Sequence, residues 1–368
     1  MHINRLWLSN FRNYESEEID FPSRGLTVIE GPNGQGKTNV LEAISYAASQ
    51  RSFRVAHFDA LIRSGADSAI VRADADRAGR QLLIESEISA TGRNRTLVNK
   101  QNIRSTNADS RLLVTVFGPD DLDLIKGGPA IRRDYLDQLL ADMDPRLQAL
   151  QRDIDRIIRQ RNTLLRQAGG RATPEIVATL DVWDAKFSQA GEQLGKARRD
   201  LVQRLMPLVT DAYRRVVDEK HGNQIVDLKL QDDWSSADGG PGLAKSLEEA
   251  RKADLARSVT TVGPHRDELL LSINNQSART HSSQGEQRSL ALALRFAGHE
   301  LLTEVAGAPP LLLLDDVLSE LDGRRSQLLL NELPVSQVFL TTAANVPDNV
   351  DISKAFSVSR GTLTEKVL

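Results

Sequence analysis

The stretch Gly31–Thr38, "GPNGQGKT", constrains this chain more than any other. It matches G-x-x-x-x-G-K-[ST] in full, following the apolar run "GLTVIE" and preceding a helical pattern of Val40, Leu41 and Ile44. That strand–loop–helix setting is what the motif needs, because backbone N–H groups at a helix start cradle phosphate oxygens. Gly31, Pro32, Asn33, Gly34, Gln35 and Gly36 form the cradle, Lys37 reaches the β/γ oxygens, and the Thr38 hydroxyl is a ligand for Mg²⁺. The expectation is an α/β fold with a nucleotide at the end of its sheet.

A second acidic element should hold the metal. "PPLLLLDDVLSELD" (309–322) has four leucines and then Asp315 and Asp316, the pattern of a buried parallel strand with carboxylates at its C-terminal end. Asp315 is expected to hold Mg²⁺ through water, and Asp316 to orient or deprotonate an attacking water.

Further downstream, "THSSQGEQRSLALALRF" begins at Thr280 and places two serines and a glycine before another helical run. Such a helix start is a ready anion site, yet it lacks a lysine. It suits a γ-phosphate whose other charges are already neutralised by Lys37 and Mg²⁺. The arrangement resembles the ATP-binding-cassette class, whose signature motif is matched by "SSQGE", with Ser283, Gly285 and Glu286 as the nucleotide contacts. In that class the signature completes the site of the opposite subunit, which implies an ATP-dependent homodimer. "SELD" (319–322) resembles the loop that crosses such a dimer interface.

"NFRNY" at Asn10, "RSFR" at Arg51, "FGPDDLDLIKGGP" at Phe117, "RRDYLD" at Arg132, "VGPHRDEL" at Val262 and "SQGEQR" at Ser283 narrow the resemblance. In order and spacing they are similar to the RecF family, bacterial recombination-mediator ATPases related to the structural-maintenance-of-chromosomes heads. The resemblance runs nearly end to end and is weakest over 168–252. It implies ATP with Mg²⁺ as cofactors, dimerisation on double-stranded, single-stranded or gapped DNA, and slow, DNA-stimulated hydrolysis. It further implies work with RecO and RecR in loading RecA, and a role in SOS induction. Three departures stand out. The second acid is Asp316 rather than the glutamate common in the wider class. No histidine follows "VFLTT", so Thr341 or Thr342 is left as the γ-phosphate sensor. Lys100 follows Asn99 where a turn favours glycine.

Periodicity supplies the organisation. Strands alternate through the first thirty residues and again from Gly65 to Arg104, the second set reading as an antiparallel sheet. After Gly127-Gly128-Pro129 the chain turns helical. Pro145 beside an Asp144 cap opens one helix, Gly169-Gly170 breaks it, and Pro174 opens a second, together an antiparallel hairpin with apolar stripes in its core. Asp120 and Asp121 are expected to cap a helix beginning near Leu122. The fold expected is an ATP-binding-cassette head, a mixed sheet with an antiparallel β-subdomain, plus a helical lobe holding the hairpin. Its divisions are 1–128 and 255–368 for the ATPase lobe and 129–254 for the helical lobe.

Composition adds limits. The 368 residues carry a formal net charge of −3 and no cysteine, so disulfides and thiolate metal sites are excluded and the charge balance alone does not point to nucleic acid. No apolar run approaches a membrane span of about 20 residues, and the expectation is a cytoplasmic protein with no membrane partner. Candidate DNA contacts are Arg93, Arg95, Lys100 and Arg104, clustered on a hairpin; a solvated basic turn is the other reading. Arg51 and Arg54 face either DNA or the γ-phosphate. Arg12 either touches nucleotide phosphates or holds a sheet edge. His265 reads as structural, since no second ligand stands at metal spacing. Two rival functions remain: the nucleotide-binding subunit of a membrane transporter, which the helical insertion disfavours, and a small-molecule kinase, which needs no signature motif.

Overall fold

A computed structural model describes residues 1–54, 57–102, 111–217, 224–334, 336–344, 346–347 and 350–367. The chain divides into two compact units, one of Met1–Asp121, Asp211–Gly222 and Arg288–Leu368, the other of Leu122–Thr210 and Asn223–Gln287.

The first unit begins with alternation. In β1 (His2–Phe11) and β2 (Tyr14–Asp20), Ile3, Leu6, Leu8, Phe11 and Ile19 are buried while Glu18 and Asp20 are exposed. The chain then enters β3 (Gly25–Glu30), passes the phosphate loop and forms α1 (Lys37–Ser49). β4 (Ser68–Arg77), β5 (Arg80–Ser89), β6 (Arg95–Val98) and β7 (Gln101–Asn102) complete an antiparallel sheet of order β2-β1-β4-β5-β6-β7. Asn99 and Lys100 make the β6–β7 turn with φ of 51° and 67°. Positive φ at both central residues is the hairpin turn that favours Asn-Gly, so Lys100 occupies a glycine position. Asn99 compensates by accepting from Leu83 N–H (2.8 Å) and donating to the Gln81 carbonyl (3.2 Å). β8 (Val114–Phe117) belongs to the other sheet of this unit.

The second unit holds α2 (Asp123–Lys126), α3 (Pro129–Met143), α4 (Pro145–Ala168) and α5 (Pro174–Val216) as far as Thr210. Asp144 caps α4 by accepting from Arg146 N–H at 2.8 Å, and Gly169 and Gly170 turn the chain with positive φ. The stripe expected on α5 is largely buried at Leu180, Phe187, Leu194 and Leu201. After β9 (Val226–Gln231) comes α6 (Leu243–Arg257), whose Leu255 packs with Leu165, Ala168 and Leu180 of the hairpin. β10 (Glu268–Ile273) and β11 (Gln276–Ser277) extend a three-stranded sheet, followed by α7 (Ala278–His281) and the start of α8 (Gln284–Ala306).

Arginines tie this unit together. Arg161, fully buried, donates to Asp184 (2.6 Å) and Asp254 (2.7 Å), joining α4, α5 and α6. Arg198 bridges Asp137 and Asp267, and Arg132 forks onto Glu268. Removing one partner of such a pair strands a buried charge, which costs more than the pair gains in stability.

The chain returns to the first unit through β12 (Leu311–Asp315), α9 (Gly323–Asn331), β13 (Gln337–Thr342), β14 (Ile352–Ser359) and β15 (Thr362–Lys366). Their sheet has the order β15-β14-β3-β13-β12-β8, parallel throughout except for the β14–β15 pair. Buried Gln337 joins the two sheets, accepting from Ile3 N–H and donating to the Ile3 and Pro22 carbonyls. The mixed and antiparallel sheets and the long helices are those expected. Among the described residues no helix is long and apolar enough to cross a membrane. One local expectation fails. Asp121 does not cap α2; its carboxylate accepts from Gly118 N–H (2.9 Å) and from Arg295 (2.6 Å), because the chain enters α2 through a 3-10 turn at Pro119–Leu122.

Candidate nucleotide-binding site

Strand order creates the site. β13 lies between β3 and β12, so the phosphate loop leaving β3 and the acids ending β12 emerge at neighbouring C-terminal strand ends.

The phosphate loop is held from behind by two turns. From the β1–β2 turn, Tyr14 Oη donates to the Gly36 carbonyl (3.0 Å) and Asn13 Nδ2 to the Gln35 carbonyl (2.8 Å). From the β14–β15 turn, Gly361 N–H donates to the Gln35 carbonyl (3.2 Å), and Arg360 N–H to Gln35 Oε1 (2.8 Å). Gly36 has φ 119°, and a Cβ there would sit 2.6 Å from Asn13 and 2.9 Å from Tyr14. A larger residue would be strained in φ and would push Asn13 and Tyr14 off the loop carbonyls they hold.

Lys37 Nζ donates to the Gly31 and Pro32 carbonyls (2.7 and 3.0 Å). Burial lowers its pKa, while Asp316 and Asp315 raise it. An ammonium lined by loop carbonyls at the mouth of a cradle can exchange those carbonyls for phosphate oxygens.

The acidic strand end meets the loop. Asp315 Oδ1 accepts from the Thr38 hydroxyl (2.8 Å) and the Thr341 hydroxyl (2.7 Å). Burial pushes the Asp315 carboxyl upward, and the two hydroxyl bonds and Arg54 pull it back. Asp316 follows in a left-handed conformation, φ 50°. For a residue that is not glycine this conformation stores strain, of a kind that clusters at functional sites. It is pinned by its N–H to the Thr341 carbonyl (3.1 Å) and by Ser319 Oγ donating to its Oδ2 (3.0 Å). Its buried Oδ1 has no hydrogen-bond partner. Thr341 is therefore bonded into the acidic strand end, while Thr342 donates to the Ala344 carbonyl (3.0 Å).

Arg12 is engaged elsewhere. Its guanidinium forks onto buried Glu42 of α1, with both bonds at 2.7 Å, and reaches the Ala60 carbonyl. Ser52 also donates to Glu42, so the "NFRNY" turn, α1 and the "RSFR" segment share one carboxylate. Arg54 is exposed, 3.4 Å from Asn39 Oδ1, and close enough to Asp315 to lower its pKa. Arg51 is exposed in the same segment.

Ser283 and Glu286 belong to the second unit and cap α8 reciprocally. Ser283 N–H donates to Glu286 Oε2 (2.7 Å), and Glu286 N–H to Ser283 Oγ (3.3 Å). This is a capping box, and it leaves Ser283 on the surface with Gly285 within the first turn. The expected basic cluster is not one cluster. Arg93 and Arg95 are exposed at one end of β6 and Lys100 at the other, and the two ends of a four-residue strand lie about 10 Å apart. Arg104 lies outside the described residues. His265 is structural in its contacts: Nε2 meets the Thr260 carbonyl (3.0 Å), and burial lowers its pKa to about 4.

The residues that sequence reasoning missed are Asn13, Tyr14, Glu42, Ser52 and Ser319. "NFRNY" and "SELD" stood out as motifs, but only a folded β1–β2 turn and β12 end reveal which carbonyl or carboxylate each side chain holds.

The chain is similar to proteins of known fold and name. A family model, the RecF/RecN/SMC N-terminal domain, matches residues 2–356. The DNA replication and repair protein RecF of Streptomyces avermitilis is 39% identical over 99% of both chains. A solved structure of the recombination mediator protein RecF-ATP in the RecFOR pathway superposes with a TM-score of 0.89 at 27% identity, covering 100% of this chain and 98% of that one. A crystal structure of an Smc head bound to the C-winged helix domain of ScpA shares the fold, with a TM-score of 0.58 at 17% identity over 100% of this chain and 98% of that one. The phosphate loop, the acidic strand end and the match from end to end agree: the chain belongs to the RecF family.

Proposed function

We propose that this chain is an ATP-dependent DNA-binding protein of recombinational repair and replication-fork maintenance, a slow ATPase that uses hydrolysis as a conformational switch. The observation that carries the reading is the 2.8 Å bond from the Thr38 hydroxyl to Asp315. It joins the hydroxyl at the end of the phosphate loop to the first acid of the buried strand, the pair needed around a metal-bound triphosphate. The donors suit Mg²⁺, being hard oxygens from the Thr38 hydroxyl and the Asp315 carboxylate, while the unpartnered Asp316 Oδ1 is left for the attacking water. Among the described residues no three His, Cys, Asp or Glu gather to cage a metal. Phosphate oxygens and water would therefore complete its shell. Bound there, Mg²⁺ would offset charge on the β- and γ-phosphates.

Gly31–Gly36 would cradle the phosphates, Lys37 would neutralise them, and Asp316, held by Ser319, would orient the attacking water. Ser283, Gly285 and Glu286 would complete the site of a second copy, so that ATP gates a homodimer on DNA. The relatives support the wider context, since the RecF-ATP structure belongs to the RecFOR pathway. Loading of RecA at gaps with RecO and RecR, stimulation of hydrolysis by DNA and a part in SOS induction extend that reading to this chain.

The test uses two-fold symmetry. A dimer with composite sites takes Lys37 from one copy and Ser283 from the other. Lys37→Met and Ser283→Arg should each be inactive, and their mixture should regain ATPase from one intact site per heterodimer. Normal hydrolysis by Ser283→Arg alone would remove the composite site. Binding of gapped, single- and double-stranded DNA with and without ATP tests the rest, and loss of ATP dependence would refute the gating.

A further inference from the structure

The chain as a whole has a formal charge of −3. Helix α4 departs sharply from that balance: its 24 residues include six arginines and two aspartates, with no lysine or glutamate. One arginine, Arg161, is buried and spent on Asp184 and Asp254. Arg152, Arg156, Arg159 and Arg166 are exposed. Their spacings of four, three and seven residues keep them on one narrow stripe of the helix, which extends for about 21 Å from Arg152 to Arg166 at 1.5 Å per residue. Arg171, just past the hairpin turn, is exposed as well.

Along α4 itself, acidic residues stand only in the first half of the stripe. Asp153 pairs with Arg156 at 3.0 Å, and Asp155 lies close enough to Arg159 to feel its charge. From Arg156 to Pro174 the chain contains no acidic residue at all. Among the described residues Arg166 bonds only the Thr163 hydroxyl (3.1 Å), a weak neutral partner that a phosphate can replace. Ion pairing inside the lobe accounts for Arg161, and the role of the outward four is unexplained by packing.

We propose that the outward face of α4 is a binding surface for the phosphate backbone of duplex DNA, separate from the basic turns at the ends of β6. The inference rests on the DNA-binding reading above and assigns it a surface. Three features favour duplex. The stripe runs along a single unbroken helix, Pro145–Ala168, as a regular ladder of cations facing the ladder of a duplex, which carries one charge per about 1.7 Å of axis. All its cations are arginine, which forks onto phosphate oxygens. No aromatic side chain stands anywhere on α4, so it offers no stacking platform for the bases of a single strand. Contacts of this kind position DNA without reading its sequence.

The experiment compares the full chain with the triple variant Arg152→Gln/Arg159→Gln/Arg166→Gln, and with Arg93→Gln/Arg95→Gln/Lys100→Gln as the rival surface. Binding to duplex and single-stranded oligonucleotides of equal length is measured across a salt series by fluorescence anisotropy. The α4 variant should lose at least tenfold in duplex affinity at low salt. Its slope of log K against log salt should flatten by roughly 0.9 for each phosphate no longer neutralised. Lysine at the same three positions should restore most of the slope. The folded state, checked by circular dichroism and melting, should be unchanged because all three side chains are exposed.

An α4 variant with parental affinity and slope would overturn the assignment while leaving DNA binding itself intact. A loss confined to single-stranded DNA would also overturn it. Failure of the parent chain to bind any DNA would refute the underlying reading, and the two failures are therefore distinguishable.

Discussion

Replacing Arg12 separates two roles that the sequence left open. Glu42 has no exposed side-chain surface and receives both arms of the Arg12 guanidinium plus one serine hydroxyl. Arg12→Ala would leave that carboxylate with a single neutral donor. Breaking a buried pair from one side costs about 3–5 kcal/mol. The lower end applies here, because the arginine side chain is itself 17% exposed and water can enter. The double variant Arg12→Leu/Glu42→Leu removes both charges and should recover most of the loss, since apolar replacements of a buried pair are often neutral. Urea unfolding followed by circular dichroism measures the cycle, and calorimetry measures ATP affinity in the double variant. If Arg12 is only a brace, the double variant binds ATP within about threefold of the parent, which is under 0.7 kcal/mol. A double variant that folds well but loses ATP by a hundredfold would put Arg12 on the phosphates. A single variant as stable as the parent would refute the buried-pair reasoning itself.

Three further outcomes are expected. Lys37→Met should abolish tight ATP binding by calorimetry without lowering stability, because Nζ reaches only loop carbonyls and one asparagine oxygen within the chain; unchanged affinity would reject the phosphate-loop assignment. Lys100→Gly should raise stability by about 1 kcal/mol, as left-handed backbone costs a lysine roughly that much, and an unchanged urea midpoint would show the turn to be relaxed. His265 and His299 are both held neutral by burial, with pKa values lowered to about 4. Unfolding frees them to take up protons near pH 6.5, so stability is full above that pH and falls as pH drops toward 4. The loss is about 2 kcal/mol per histidine at pH 5, and equal urea midpoints at pH 8 and pH 5 would contradict it.

How much was legible depended on whether a residue's job is local. Gly31–Thr38, the leucine strand ending in Asp315 and the Asp144 cap announce themselves, because each carries its pattern within a few consecutive residues. Asp120 and Asp121 also look local, before a helix, yet Asp121 is claimed by Arg295 from α8, far along the chain. Tyr14 and Asn13 had no local signature of their role, since their partners Gly36 and Gln35 are brought beside them only when β1, β2 and the loop after β3 assemble. The Lys100 turn was readable as a conflict but not as a geometry. Tertiary pairing of β5 with β6 sets the register, and the turn residue accepts the conformation left to it.

Arginine count was the least informative signal, and the structure shows the physical reason. The same guanidinium that forks onto a phosphate forks equally well onto a carboxylate. In the helical lobe Arg132, Arg161 and Arg198 are buried and all consumed by acids of the same lobe, so they report on how the lobe is held rather than on any ligand. Arg12 repeats the pattern beside the phosphate loop, where proximity to a nucleotide site would suggest a different partner. Exposure is what divides the two uses: a buried arginine has already chosen an acid from its own chain, because an unpaired charge could not remain inside. Only arginines that stay outside without enough acids around them keep their charge for another molecule. Helix α4 carries both kinds on opposite faces, Arg161 turned inward to two aspartates and Arg152, Arg159 and Arg166 turned outward, so one sequence segment serves cohesion and recognition at once.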